Sequence, residues 1–89
     1  MRAIVTVVGK DRVGIIADVC TWLAGNRVNV LDISQTVMQG NFTMTMLVDL
    51  EKCELPFRDV SEKLRLRGEE LQLSIRMQRE DIFEAMHRV

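Results

Sequence analysis

"RAIVTVVGKDRVGIIADVCTWLAGN", residues 2–26, changes its period halfway along. From Arg2 to Val8 nearly every position is apolar and most are β-branched, the composition of a central strand covered on at least one face. From Val13 the apolar residues Ile16, Val19, Cys20, Leu23 and Ala24 recur at i, i+3, i+4, i+7 and i+8, the stripe of a helix lying on a sheet. Between them sits "GKDRVGI" (9–15), a strand-to-helix turn with glycines at Gly9 and Gly14 and charges at Lys10, Asp11 and Arg12. Such a turn can hold phosphate, hold a small zwitterion, or cap a helix. Asp11 is the expected N-cap, its carboxylate taking amide hydrogens that the first turn leaves free, at ~1 kcal/mol. Gly14 in the first turn is disfavoured by ~1 kcal/mol relative to Ala and needs a reason. Two are open: an anion meeting the bare helix N-terminus, or close packing of the helix start on a neighbouring strand.

The rest of the chain repeats the scheme. The helix ends at Gly25-Asn26, and "VNVLDISQTVM" (28–38) sets Leu31, Ile33 and Val37 against Asp32, Ser34 and Thr36, a half-solvated strand suited to an edge. Gly40-Asn41 suits a tight hairpin turn. After it Phe42, Met44, Met46, Val48 and Leu50 alternate with Thr43, Thr45 and Asp49, so the two strands are antiparallel neighbours. Pro56 opens a second helix, with Phe57, Val60 and Leu64 at helical spacing and Gly68 as its stop. "LQLSIRMQ" (71–78) alternates cleanly, Leu71, Leu73, Ile75 and Met77 facing in. The tail "EDIFEAMHRV" (80–89) places Ile82, Phe83, Met86 and Val89 on one side of a short helix, which must dock on the domain or a partner to persist.

The order βαββαβ, with right-handed crossovers, predicts an α+β ferredoxin-like domain: a four-stranded antiparallel sheet ordered 4-1-3-2 with two helices on one face. Val, Met and Leu side chains on its open face would form a patch of the size that marks an interaction surface. The tail, a second subunit, or both should cover it.

Composition narrows the uses. A chain of 89 residues buries roughly 60–65% of its unfolded surface, enough for one core and too little for a deep private active site. Twelve basic against 13 acidic residues, mixed along the chain, give no bias toward nucleic acid or membrane surfaces. No apolar run approaches the ~20 residues that span a bilayer, and the strand-like start is unlike a signal peptide, so the expected location is cytoplasmic. Cys20 and Cys53 lack metal-ligand spacing and read as buried free thiols; no metal and no cofactor are expected.

Ferredoxin-like domains host unrelated functions, so the site must decide. An RNA-recognition domain needs stacking aromatics and a basic surround, and this chain has one Trp, three Phe and no Tyr. A soft-metal chaperone needs paired thiolates after the first strand, where "GKDRVGI" has none. An acylphosphatase-like hydrolase would need a phosphate cradle with an arginine and an asparagine to orient water; Arg12 and Asn29 allow it, but Asp11 would repel phosphate. His87, the only histidine, has no evident nucleophile beside it and reads as surface, so no catalytic residue is assigned. Met38, Met44 and Met46 read as core or interface filler.

"VVGKDRVGIIADVCTWLAGNRVNVLDISQTV" (7–37) resembles the opening βαβ half of the ACT domain, with "DRVGI" and "NRVNV" at the family's spacing, and the later strands and tail extend the likeness over the chain. The resemblance is nearest to free-standing ACT proteins. It implies a domain over 1–79 with a tail over 80–89, acting as a non-catalytic regulatory homodimer that binds a small molecule, an amino acid by preference. The implied ligand contacts are Asp11, Arg12, Val13, Gly14, Ile15 and Asn29. Regulation through a protein partner is a further implication, and an adaptor without ligand is the plain alternative. In a lone subunit the start of the second strand should lie at the sheet end opposite the "GKDRVGI" loop. The resemblance therefore requires the neighbouring subunit to supply Asn29.

Overall fold

A computed structural model of the chain describes residues 1–82. Its elements are β1 (Arg2–Lys10), α1 (Ile15–Gly25), β2 (Asn29–Met38), β3 (Asn41–Asp49), α2 (Phe57–Glu70) and β4 (Ser74–Arg79). The sheet runs β2-β3-β1-β4, every neighbouring pair antiparallel. This is the ferredoxin-like arrangement that the βαββαβ order predicts. A last helical turn begins at Glu80; His87 and the rest of the tail from residue 83 lie outside the described residues.

Alternation places the core. Ala3, Val5 and Val7 of β1, Phe42, Met44, Met46 and Val48 of β3, and Ile75 and Met77 of β4 all point to the helical side and are buried. They meet Ile15, Val19 and Leu23 of α1 and Val60 and Leu64 of α2. The opposite face carries Ile4, Thr6 and Val8 of β1 beside Thr43, Thr45 and Leu47 of β3. It is therefore richer in threonine than expected, because Met44, Met46 and Val48 all went to the core. Met38 alone of the three methionines is exposed, at 68%.

Several local expectations shift. β1 continues through Gly9 and Lys10, so both belong to the strand and the connecting loop is only 11–14. The hairpin turn is Gln39-Gly40, both at positive φ (53° and 79°), and Asn41 already pairs in β3. Pro56 is the N-cap of α2 and lies outside its first turn. Gly68 does not end α2; it lies inside the helix and is buried. A Cβ there would stand 2.8 Å from the Leu73 carbonyl oxygen and 2.9 Å from Ile75 Cγ1, so this glycine lets α2 close on β4. A helix stop and a close-approach glycine look alike in sequence. Cys20 and Cys53 are free and half-buried.

Candidate functional site

Asp11 does not cap α1. The N-cap is Gly14, at φ 93° and ψ 0°, and no side chain caps the helix. Asp11 instead leaves β1 by donating its backbone N–H to the Gly40 carbonyl at 2.8 Å, which ties the loop to the β2–β3 hairpin. The chain then turns at Gly14 through a left-handed backbone that other residues adopt at a cost of roughly 1–2 kcal/mol. Nothing lies within 4 Å of where its Cβ would be. Close packing therefore does not explain Gly14, and positive φ does.

The first bond of the helix runs from the Asp18 N–H to the Gly14 carbonyl at 2.9 Å. The amides of Ile15, Ile16 and Ala17 precede it, and no side chain caps them. These amides border an open groove of about 490 Å³ lined by Asp11, Arg12, Gly14, Ile15, Ile16, Ala17, Gln35, Val37 and Phe42. Arg12 folds back over the first turn, its guanidinium 3.3 Å from the Asp18 carboxylate and 3.2 Å from the Val13 carbonyl. Val13 projects from the loop 99% exposed.

Gln35, Val37 and Phe42 join this groove without having been singled out. Register explains it: Phe42 pairs with Gly9 on one side and Val37 on the other, so the hairpin stands beside the loop. The signal was present in the Gly40 turn, which fixes the partners of the strand ends.

Asn29 is elsewhere. At the end of α1 the Asn26 side chain donates to the Trp22 carbonyl at 2.9 Å, and Arg27 at φ 60° reverses the chain into β2. Asn29 then pairs with Asp49, which pairs with Arg2, placing it at the start of β1. The loop lies at the other end, beyond Lys10 and Asn41. The length of β2, about 30 Å at the usual strand rise, separates the two. Asn29 lines a second hollow of about 580 Å³ with Arg27, Asp49, Glu51 and Lys52. One chain thus brings Asp11, Arg12, Val13, Gly14 and Ile15 together and leaves Asn29 apart. The same separation splits the Arg12–Asn29 pair that a phosphate-cleaving site would need.

A larger hollow of about 680 Å³ runs along α2 and the free edge of β4. Its Arg65 and Glu69 already pair with each other at 2.7 Å. Among the described residues no group of His, Cys, Asp or Glu could hold a metal ion, and no helix is long and apolar enough to cross a membrane.

The element order and sheet order place the chain in the ferredoxin-like class of small α+β domains. The chain belongs to the ACT domain family, which matches residues 2–78. ACT domains are ligand-binding regulatory domains that generally take small molecules and often dimerise. The chain is 49% identical over 89 residues to a UPF0237 protein of Listeria innocua, covering the whole of both chains. The solved structure of an ACT domain protein from Streptococcus pneumoniae superposes with a TM-score of 0.83 at 39% identity, over 94% of each chain. A glycine cleavage system transcriptional repressor, so described in its solved structure, matches 86% of this chain and 44% of its own with a TM-score of 0.73 at 26% identity.

Proposed function

We propose that the protein is a homodimeric regulatory domain whose ligand is a free amino acid, bound where the loop 11–14 and the first turn of α1 of one subunit meet the start of β2 of the other. The observation that carries this reading is the uncapped start of α1 at Gly14, open to the groove. The α-carboxylate meets the amides of Ile15 and Ile16, where the N–H groups and the helix dipole favour an anion, with the Arg12 guanidinium beside it. The Asp11 carboxylate takes the ammonium, and Val13 closes over the ligand. Asn29 supplies a donor and an acceptor from the partner.

The symmetry supports that last contact. β2 is an edge strand, and its free side is a template for pairing. Antiparallel pairing of two β2 strands about their common centre sets the partner subunit's Asn29 beside Met38, at the sheet end that holds the loop. The likeness to a transcriptional repressor suits a regulator that acts through a protein partner.

A thermal-shift and calorimetric screen of the standard amino acids tests the reading. At least one should raise the melting temperature, since a ligand at 100 times its Kd stabilises by ~2.7 kcal/mol. Arg12→Ala and Asn29→Ala should each weaken it roughly 10- to 100-fold, the loss of a charge-assisted hydrogen bond. A screen in which no amino acid binds, or both variants respond as the wild type does, removes the proposal.

A further inference from the structure

The groove at the start of α1 holds one polar side chain that the two charged ends of an amino acid leave unused. Pairing with Phe42, Met44 and Met46, all buried, puts Val37, Gln35 and Ile33 on the helical side of the sheet. The helices do not cover this part of β2: Ile33 is 39% exposed and Val37 52%, and Gln35 is exposed between them. A polar residue thus interrupts an apolar row. Beyond the loop 11–14 the lining of the groove is apolar apart from Gln35, being made of Ile15, Ile16, Ala17, Val37 and Phe42. A few polar groups set in an apolar wall are what orients and selects a ligand.

Position separates Gln35 from the ligand's backbone. Val37 pairs with Phe42 and Phe42 with Gly9, near the end of β1 from which the loop departs. Gln35 stands two residues further along β2, about 7 Å away. With carboxylate and ammonium held at the loop, what extends toward Gln35 is the ligand's side chain.

Charge narrows that side chain. Among the described residues that line the groove only Asp11 and Arg12 are charged, and the ligand's own ends take both. A charged side chain would shed water against Ile16 and Val37 with no counter-charge left in the lining. An aliphatic one would set the Gln35 amide, which both donates and accepts, against a group that does neither.

On the amino-acid reading of this groove, on which this step rests, we propose that Gln35 selects the ligand's side chain. The ligand class is then the amino acids whose side chain is neutral and hydrogen-bonding, an amide or a hydroxyl.

Matched pairs test the choice: serine against alanine, threonine against valine, asparagine against leucine and glutamine against methionine, titrated calorimetrically into wild type and Gln35→Leu. Affinities are compared as a ratio within one protein, so a variant that folds or dimerises less well loses both members alike. In the pair that binds tightest, wild type should favour the polar member by roughly 2- to 10-fold, the share of one net hydrogen bond. Gln35→Leu should abolish or reverse that ratio. A wild type that prefers any charged, aliphatic or aromatic amino acid overturns the proposal, as does a ratio that survives in Gln35→Leu. Arg12→Ala, titrated alongside, separates this failure from failure of the site. If Arg12→Ala weakens binding while the ratio ignores Gln35, the amino-acid site stands and the selection by Gln35 falls. If no amino acid binds, or Arg12→Ala binds as wild type does, both fall.

Discussion

Gly14 and Gly68 are needed for opposite reasons, and substitutions separate them. At Gly14 the backbone is left-handed and the space beside it is open, so Gly14→Ala should cost ~1–2 kcal/mol from conformation alone. Gly14→Asn, which tolerates that region better, should recover part of the loss. Equal melting temperatures for the two variants would show that φ is not the constraint. At Gly68 the backbone is helical, and propensity alone predicts that Ala gains ~1 kcal/mol. The contacts at 2.8 and 2.9 Å from the added methyl predict the reverse, because α2 would have to lift from β4 and overpacking costs ~1–3 kcal/mol. Gly68→Ala should therefore lower the melting temperature; a rise would mean that β4 gives way freely. In sequence each is a glycine near a helix end, and the distinction rests on a dihedral angle and a neighbour that only the fold supplies.

Among the elements, β3 was legible because one face is wholly apolar, and Phe42, Met44, Met46 and Val48 are buried as their alternation implies. β4 was legible only from Ser74, since Leu71 caps α2 and Gln72, at φ 60°, turns the chain out of the helix. β2 was legible as an edge from its polar ladder. Its bulge between Val30 and Asp32 was not, since an extra residue leaves no compositional mark. Which face of β3 would meet the helices was also only half legible: alternation separates the faces, and the helical crossovers choose between them. The outer side of α2 shows a different control. Arg65 pairs with Glu62 at 2.6 Å and with Glu69 at 2.7 Å. The Arg65 hydrogen bond, with its charge, holds the Glu62 carboxyl below its ordinary value. A depressed carboxylate stabilises the fold above its unfolded pKa and ceases to do so as the pH falls through the folded one. Glu62→Gln should thus lower the melting temperature slightly at pH 7, and the gap should close in acid below the ordinary carboxylate range. The pair is exposed, so added salt should shrink the gap as well. A gap that persists at pH 2 would assign the effect to packing.

At the scale of the whole molecule, the loop half of the candidate site and its distance from Asn29 were both legible, because the crossover that returns the chain to β2 sets that one member of the proposed set at the opposite end of the chain's own sheet. The separation of Asn29 from Gly14 by the length of β2 makes subunit exchange a decisive measurement. Consider Arg12→Ala, which damages the loop, and Asn29→Ala, which damages the strand start. In an intersubunit site a dimer of the two variants holds one site with both lesions and one with neither. Random exchange makes about half of the dimers mixed, and each carries one sound site of two, so about a quarter of the wild-type binding capacity should return at wild-type affinity. Neither variant alone would show it. Calorimetric titration with the amino acid that the screen finds, before and after mixing, reads this directly. Ile33→Asp provides the complement: Ile33 is 39% exposed on the β2 edge, so the charge is tolerated in the folded subunit but falls in the proposed seam. It should yield a folded monomer of about 10 kDa that no longer binds, the loss of dimer and ligand together being what linkage requires of a shared site. If mixing restores nothing while each variant alone binds weakly, the ligand is held within one chain, and Asn29 acts on the hollow with Arg27 and Lys52 and has no part in the loop.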